Sequence, residues 1–543
     1  MSEQIITLGS QPGVKRDGTM FEGDNYVDAL WCRFQRGLPR KMGGYRVVNR
    51  YLRNIARTLH GYSQNDLTYI HAGSPDRIER FYLDDNSNSS IISNRTPDSL
   101  TADDRNVWQF EVDTASILDD IQLLAQVAPN LDCICNAEGG QLFYGGLFDT
   151  TPLTELTVTG GHLPSSASLT GGVANLHPYA FIFGNSGWIG WSVPGNPTDF
   201  TGSGSGNAFI TGQKLVRGMP MRGGAGNSPS GLFWSADSLL RASYVGGTQI
   251  FQFDTITAQS SILSPQSVIE YDGVFYWLGV DRFLMFNGVV REVPNNMNIN
   301  FFFDNLNEAQ KQKTFAFKIP RFGEIWWCFP FGDSEEPNWA VIYNVRENTW
   351  YDTALPGGGR SAGIFPAVRN RVFMAGVDTV VSARDVRLTE ADDTRITEES
   401  DTRVTEDSEV DQFKLWQHEW RTDEQDGTSF NPVRSYFETA DVTLPAKGVS
   451  NRALQVLMVE PDFIQSGDLT MTVIGRANAR APDVEGEPRT IVETPATAAE
   501  QVVYFKEQRR QLRFRVESNV IGGDYQMGHV LCHVQEGDGT TVG

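Results

Sequence analysis

From about residue 51 to residue 384 one unit keeps returning. It is a short hydrophobic strand, a tight turn, a second strand rich in aromatics, and a polar loop. Leu67–Ala72 followed by Arg77–Leu83, and His177–Phe183 followed by Gly187–Val193, are two such pairs. The clearest is Val268–Asn287, VIEYDGVFYWLGVDRFLMFN, where Tyr271-Asp272-Gly273 is a hairpin-type turn and Gly279–Asp281 makes the next. Gly323–Phe331 with Trp339–Asn344 and Thr349–Asp352, then Arg371–Gly376 with Thr379–Ala383, continue the series. A lone sheet of this kind cannot bury both of its faces. Radial stacking around an axis buries them and leaves only short edges, and a spacing of roughly 40–60 residues suits propeller blades. Five or six blades are expected. Tyr276, Trp277, Trp326, Trp327, Trp339 and Trp350 fall inside strands, where face-to-face sheets need bulk.

Three tandem octads follow: Arg387–Thr394 (RLTEADDT), Arg395–Thr402 (RITEESDT) and Arg403–Val410 (RVTEDSEV). The even period returns equivalent side chains to one face of an extended chain. One aliphatic residue per unit cannot build a core, so each unit must lean on a neighbour, another subunit or water. Arg387, Arg395 and Arg403 with Glu390, Glu398 and Glu406 mark the repeat, and residues 385–411 carry 11 carboxylates against three Arg, a net of −8. Such a tract suits an assembly or a solvated connector.

The whole chain, 543 residues, carries a net charge of −22, so −14 remains outside the tract. Short basic patches occur only at 33–46 and 506–515. A sequence-specific nucleic-acid binder would show a basic face; an acidic wall repels phosphates and suits transit rather than capture. The five cysteines, Cys32, Cys133, Cys135, Cys328 and Cys532, are odd in number and read as reduced. No apolar run of ~18 residues spans a bilayer, and the N-terminus lacks a signal-peptide pattern, so a soluble product made in the cytoplasm is expected.

The domain boundaries read as an N-terminal arm and docking segment over 1–50, a propeller over 51–384, the acidic octads over 385–410 and a C-terminal β-domain over 411–543. Seven short alternating runs in that last part, from Ala440–Leu444 to Val530–Gln535, predict a small β-sandwich. The fold class is therefore all-β: a propeller with inserted loops, an N-terminal arm and a C-terminal sandwich-like domain. Residues 185–230, rich in Gly, Ser, Pro and Asn, read as loop material. Ser116–Val127 and Glu308–Lys313 are the helix-like patches.

Three segments carry a resemblance. Tyr26–Tyr45 (YVDALWCRFQRGLPRKMGGY) resembles the opening of tail nozzle and hub proteins of short-tailed (podovirus) bacteriophages. Ser267–Glu292 resembles the most recognisable blade of their propeller, and Lys506–Thr540 is similar to their C-terminal region. The octads are similar to RVTE-type repeats of phage tail components. Together these segments cover about a fifth of the chain, and their order and co-occurrence carry the likeness. The resemblance implies a structural virion protein, made in the host cytoplasm and built into the tail. It implies a ring, usually of six copies, below the portal and its head-tail adaptor. That ring encloses the channel through which viral DNA leaves and supports fibres or spikes. It brings no catalytic residue, no cofactor and no metal. The acidic octads depart from an average member, and their placement, lumen or exterior, stays open.

Residue chemistry agrees with a non-enzymatic reading. Trp31, Arg33, Arg36, Arg40 and Lys41 are the candidates for a subunit or adaptor interface, the cations pairing with acidic faces of a neighbour. His529 and His533 share a strand face with Cys532 opposite, a spacing read as sheet surface rather than metal site. Cys133 and Cys135 read as buried small hydrophobes. The acid pairs Asp84-Asp85, Asp103-Asp104, Asp119-Asp120 and Glu335-Glu336 read as solvated turns. No GxSxG, P-loop, HExxH or EF-hand pattern is present. Two rival functions remain: a carbohydrate-binding tail spike or receptor-binding protein, which a glycan array separates, and a glycoside-hydrolase-type propeller, which release of reducing ends from host polysaccharide would reveal.

Overall fold

A computed structural model gives the architecture for every residue except 1–2, 20–22, 114–120, 130–138, 158–160, 222–227, 383–407, 443–452, 478–479 and 538–543. Six four-stranded antiparallel sheets follow one another in chain order, beginning at Thr58, Asn106, Gly172, Leu215, Ile269 and Phe315. Each starts with its innermost strand and steps outward. The turns explain why. Asn65 and Asp66 (φ 50° and 62°) join Thr58–Gln64 to Leu67–Ser74, and Asp272 and Gly273 (φ 51° and 81°) join Ile269–Tyr271 to Val274–Leu278. Two successive left-handed residues make the turn whose twist matches a right-twisted ribbon.

The seventh sheet closes the ring, and it is assembled from distant parts of the chain. Ala362–Ile364, Phe373–Ser382 and Ser408–His418 pair in order, and Tyr45–Leu52 adds outside them. Asp423–Asp426 and Ser429–Pro432 extend the same sheet. Ala362–Ile364 lies beside Thr58–Gln64, so the last sheet meets the first. The described residues thus form a seven-sheet β-propeller rather than one of five or six blades. The seventh sheet also reaches beyond 51–384, because its fourth strand comes largely from the supposed arm and its third strand begins in the last octad and runs past it.

The Gly/Ser-rich stretch 185–230 is not loop throughout: Trp188–Trp191, Gly206–Phe209 and Leu215–Pro220 are strands of the third and fourth sheets. Glycine there makes room for tryptophan. A Cβ on Gly206 would sit 2.4 Å from the Trp191 ring, and one on Gly190 2.8 Å from Trp188. Within Ser116–Val127, residues from Gln122 onward belong to the strand Gln122–Pro129, whose side chains are almost all buried in a sheet. Glu308–Lys313 is a short 3-10 helix after the one-turn-plus α-helix Ile299–Asn305.

The C-terminal β-domain is not built from C-terminal residues alone. Gln4–Leu8 is the edge strand of a sheet with Val530–Glu536, Leu454–Glu460 and Val503–Arg509. Asp28–Leu30 pairs with Ser435–Glu438 at the end of a second sheet, which runs on through Gln511–Ser518 to Leu469–Arg476. Leu38–Lys41 joins Asp524–Met527 and Cys32–Gln35 in a third. Each of the three sheets borrows from residues 4–41, so the free N-terminal arm of the sequence reading is an interior part of this domain. One continuous core runs from it into the sixth and seventh propeller sheets, joining Tyr26, Trp31, Phe34, Val456 and Phe514 to Phe317, Trp326, Tyr351 and Trp416.

The octads fill the connection between the paired strands Phe373–Ser382 and Ser408–His418, and the last three residues of the third octad, Ser408–Val410, already pair with Val380–Ser382. Arg387, Arg395, Arg403, Glu390, Glu398 and Glu406 lie outside the described residues, as do Cys133, Cys135, Asp119 and Asp120. The two strands stay in register to Ser382↔Ser408, whereas the chain enters this sheet at Tyr45 and leaves at His418 at the other end. The acidic tract and the C-terminal β-domain therefore depart from opposite ends of the seventh sheet.

Candidate functional site

The five interface candidates lie on the hairpin Cys32–Gln35/Leu38–Lys41 and the residue before it, and the structure brings most of them inside the chain. The hairpin turns on Arg36 and Gly37 (φ 52° and 74°), and Glu347 of the propeller accepts from both of their backbone amides, at 2.7 and 3.2 Å. Trp31 is 4% exposed; its backbone N–H donates to Thr353 Oγ1 at 2.8 Å and its indole to Gly43 O at 2.9 Å. Its ring meets Trp326 edge-on at 6.1 Å, while Phe34 meets Tyr351 at 5.4 Å.

Arg33, 1% exposed, is the centre of the junction. Its Nε lies 2.8 Å from Glu324 Oε1, and Nη1 and Nη2 donate to the two Glu419 oxygens at 3.0 and 2.5 Å. The guanidinium also stacks 3.7 Å over the centre of the Phe322 ring. Glu324 is itself fully buried and accepts from Tyr351 Oη (2.8 Å) and Trp326 Nε1 (2.9 Å). Burial favours neutral forms of both partners and pushes the Glu324 carboxyl up; against that same burial, Glu324 and Glu419 hold Arg33 charged.

A second pairing lies alongside. Arg16 reaches Asp28 at 2.7 Å and the buried Asp352 at 3.0 Å, and Asp17 accepts from the N–H groups of Asn300 and Phe301 at the start of the α-helix. Lys41, 2% exposed, donates to Gly523 O at 2.8 Å; burial draws its pKa down to about 8, with Asp423 and Asp524 opposing. Arg40 is half-buried on Gln35 Oε1 at 2.7 Å, and of the five only the Arg36 side chain is exposed. Trp31, Arg33 and Lys41 are thus corrected from contacts with a neighbour to fasteners within the chain. The carboxylates that hold this segment, Glu324 and Glu419 on Arg33, Glu347 on the Arg36 and Gly37 amides and Asp352 on Arg16, lie some 300 to 400 residues away in sequence. The one clue to them is a carboxylate inside an otherwise apolar strand, as in Glu324–Phe329 (EIWWCF), since a buried acid needs a partner.

The other basic patch is spent in the same way. Arg513 bridges Glu438 and Asp483, each at 2.7 Å, and Arg515 binds Glu438 at 2.6 Å and Glu485 at 2.8 Å. These guanidinium groups face carboxylates rather than an open surface for phosphates.

His533 and Cys532 lie on the strand Val530–Glu536, and His529 directly precedes it. Cys532 is buried; His529 N donates to Asp462 Oδ2 at 2.8 Å. His533 bridges Glu3 at Nδ1 (2.5 Å) and Glu460 at Nε2 (2.7 Å), tying the edge strand Gln4–Leu8 to its sheet. Burial opposes its charge, but the two carboxylates prevail and its pKa is raised. A raised folded-state pKa gives stability that is fully present below the unfolded value of about 6.5 and lost as pH climbs through the folded value. Hydrogen-exchange protection of Gln4–Leu8, corrected for intrinsic rate, is expected to fall several-fold between pH 6 and pH 8.5. His533→Gln removes the difference; protection that is level with pH in the unaltered chain would contradict it.

Ten of the 12 tryptophans are buried, and Trp339 and Trp420 are half-buried, so few indoles are free to form a sugar-stacking platform. On the surface, a groove of about 750 Å³ separates Tyr45–Leu52 of the seventh sheet from the outer strands of the first. Tyr51 and Ile91 project beside it, 71% and 91% exposed, among Arg50, Arg53 and Arg77. No helix of the described residues is long and apolar enough to cross a membrane.

No family model matches the chain, and no curated protein matches it. Solved structures similar to it include the WD40 repeats of RRP9, 6% identical over 62% of this chain and 92% of that one, TM-score 0.36. Another is a calcium-binding protein, regucalcin, from Agrobacterium tumefaciens str. C58, 12% identical over 55% of this chain and 88% of that one, TM-score 0.29. At such scores the propeller assignment rests on the closed order of the seven sheets themselves.

Proposed function

We propose that this chain is a structural component of a short phage tail, a nozzle or hub protein whose copies close into a ring around the DNA exit channel. The observation that carries the reading is the co-occurrence, in one chain, of three tail-like segments in order: Tyr26–Tyr45, Ser267–Glu292 and Lys506–Thr540. The way the first and last of these are used lends support. They interlock in one domain that is keyed by Arg33 and Arg16 into the propeller, which suits a wall resisting pressure from packaged DNA. Six copies, a head-tail adaptor and fibres or spikes are the expected partners, with DNA passing without sequence-specific contact. The groove beside Tyr51 and Ile91 is a surface on which a neighbour can bury apolar area. The net charge of −22 disfavours adhesion of phosphates to the wall.

The work is mechanical and electrostatic; no catalytic step is assigned. Virus particles assembled without this chain test the reading. They are expected to package DNA and then leak it, and to lack the distal tail in negative stain. Particles that retain DNA and show a full-length tail would overturn it.

A further inference from the structure

Propeller axes are usually filled or wet, and this one holds an arginine, Arg217, that makes no ion pair among the described residues. Between the innermost strands lies a cavity of about 300 Å³, bounded by residues of every propeller sheet except the third. Its walls are apolar over Phe110, Met219 and Phe317, with Arg217, His60 and Lys318 as the basic groups.

Lys318 is accounted for: its Nζ lies 3.1 Å from Glu270 Oε2 and donates to Glu270 O at 2.6 Å. Arg217 is not. Its Nε is buried and without a hydrogen-bond partner, and its Nη1 reaches only the neutral amide oxygen of Gln109 at a long 3.3 Å. Gln109 is itself fixed by donating to Gly171 O and to Val216 O, so it cannot move to serve Arg217 better. The carboxylate that most influences Arg217, Glu111, makes no ion pair with it among the described residues, and burial pushes the Glu111 pKa up to about 7. Part of its negative charge is therefore missing at neutral pH. Beside Arg217, the His60 ring also has a buried nitrogen, Nδ1, without a partner. Burial, reinforced by Arg217, lowers its pKa to about 4, which leaves a neutral imidazole able to donate one hydrogen bond.

A guanidinium nitrogen buried without a hydrogen-bond partner is costly even on a half-buried side chain, and an orphaned imidazole nitrogen adds to that cost. Both are relieved by one group: an oxygen anion placed between them, gripped by the planar fork of Arg217 and hydrogen-bonded by His60. The cavity is at the small end of ligand pockets, which limits the guest to a few heavy atoms around a charged head. We propose that the axial cavity is a binding site for a small oxyanion, of the carboxylate or phosphate class, held by Arg217 and His60.

The site is independent of any ring or tail role, and its test uses the full chain with two probes, inorganic phosphate and acetate, at fixed ionic strength against chloride. Isothermal titration is expected to show saturable binding of at least one probe, and that probe raises the thermal midpoint. Arg217→Gln is expected to weaken binding at least tenfold while leaving the ligand-free midpoint equal or higher, because an uncompensated cation has been removed. Arg217→Lys, which keeps the charge but not the fork, is expected to bind several-fold more weakly than the unaltered chain; it reads the site if the Gln variant does not fold. His60→Gln gives a smaller loss. No saturable binding of either probe, an equal midpoint shift with chloride, or affinity in both Arg217 variants equal to that of the unaltered chain would overturn the proposal.

Discussion

Deleting residues 1–43 is expected to unfold the C-terminal β-domain while leaving most of the propeller intact. The deletion strips one strand from each of two sheets, and two strands from a third, that otherwise run between residues 435 and 536. It also removes Leu8, Val14, Tyr26, Trp31, Phe34 and Met42, all no more than 4% exposed, from the shared core. At about 1.5–3 kcal/mol for each buried side chain, the loss rivals the entire ~5–15 kcal/mol stability of an ordinary domain. The propeller keeps its closing strand, Tyr45–Leu52. Limited proteolysis read by mass spectrometry should therefore show rapid cleavage between 435 and 536, with 58–354 resistant. Adding a synthetic peptide of residues 1–43 should restore protection. A truncated chain whose C-terminal part stays resistant would mean that this part folds without the borrowed strands.

The second large effect is expected at Arg33. Arg33→Met leaves Glu324, fully buried, and Glu419 facing each other without the cation that reconciles them. Removing one partner of a buried pair typically costs about 3–5 kcal/mol, because the other charge is left uncompensated. Arg33→Met combined with Glu324→Gln should recover part of the loss, since the uncharged amide can accept from the Trp326 indole through its oxygen while its NH2 donates to the Tyr351 hydroxyl. The measurement is urea unfolding followed by tryptophan fluorescence, with Trp31 and Trp326 in contact at the junction as reporters. A midpoint unmoved by Arg33→Met would show that the junction is held by apolar packing alone.

These two expectations depend on contacts that sequence reading could not supply. Local chemistry was legible: Asp272-Gly273 and the apolar runs around it specify a hairpin wherever they occur, and the strands 454–460, 469–476, 511–518 and 530–536 follow their alternation. The number of sheets was not, for two physical reasons. Gly190 and Gly206 look like loop residues in sequence, yet they are small because Trp188 and Trp191 lie across them. The seventh sheet unites residues from 45 to 432, so no contiguous segment bears its pattern. Arg33 and Lys41 read in sequence as cations in need of partners. Sequence alone points those partners to a neighbouring subunit, because Glu324, Glu419 and the Gly523 carbonyl are brought near only by the fold. Arg217 and His60 gave no signal at all: the seven first strands converge on an axis, and convergence is a property of closure rather than of any one strand.

The reading of the whole chain as a conduit subunit makes its sharpest claim about assembly. Under the proposed function, the interlocked segment is part of a wall whose copies close head to tail, and cyclic closure is the natural outcome of such contacts. Mass photometry of the purified full-length chain, alone and with its head-tail adaptor, backed by negative-stain images of the same samples, measures this directly. The account predicts closed rings of uniform copy number, six being expected, in at least the sample containing the adaptor. Monomers alone in both samples would contradict it.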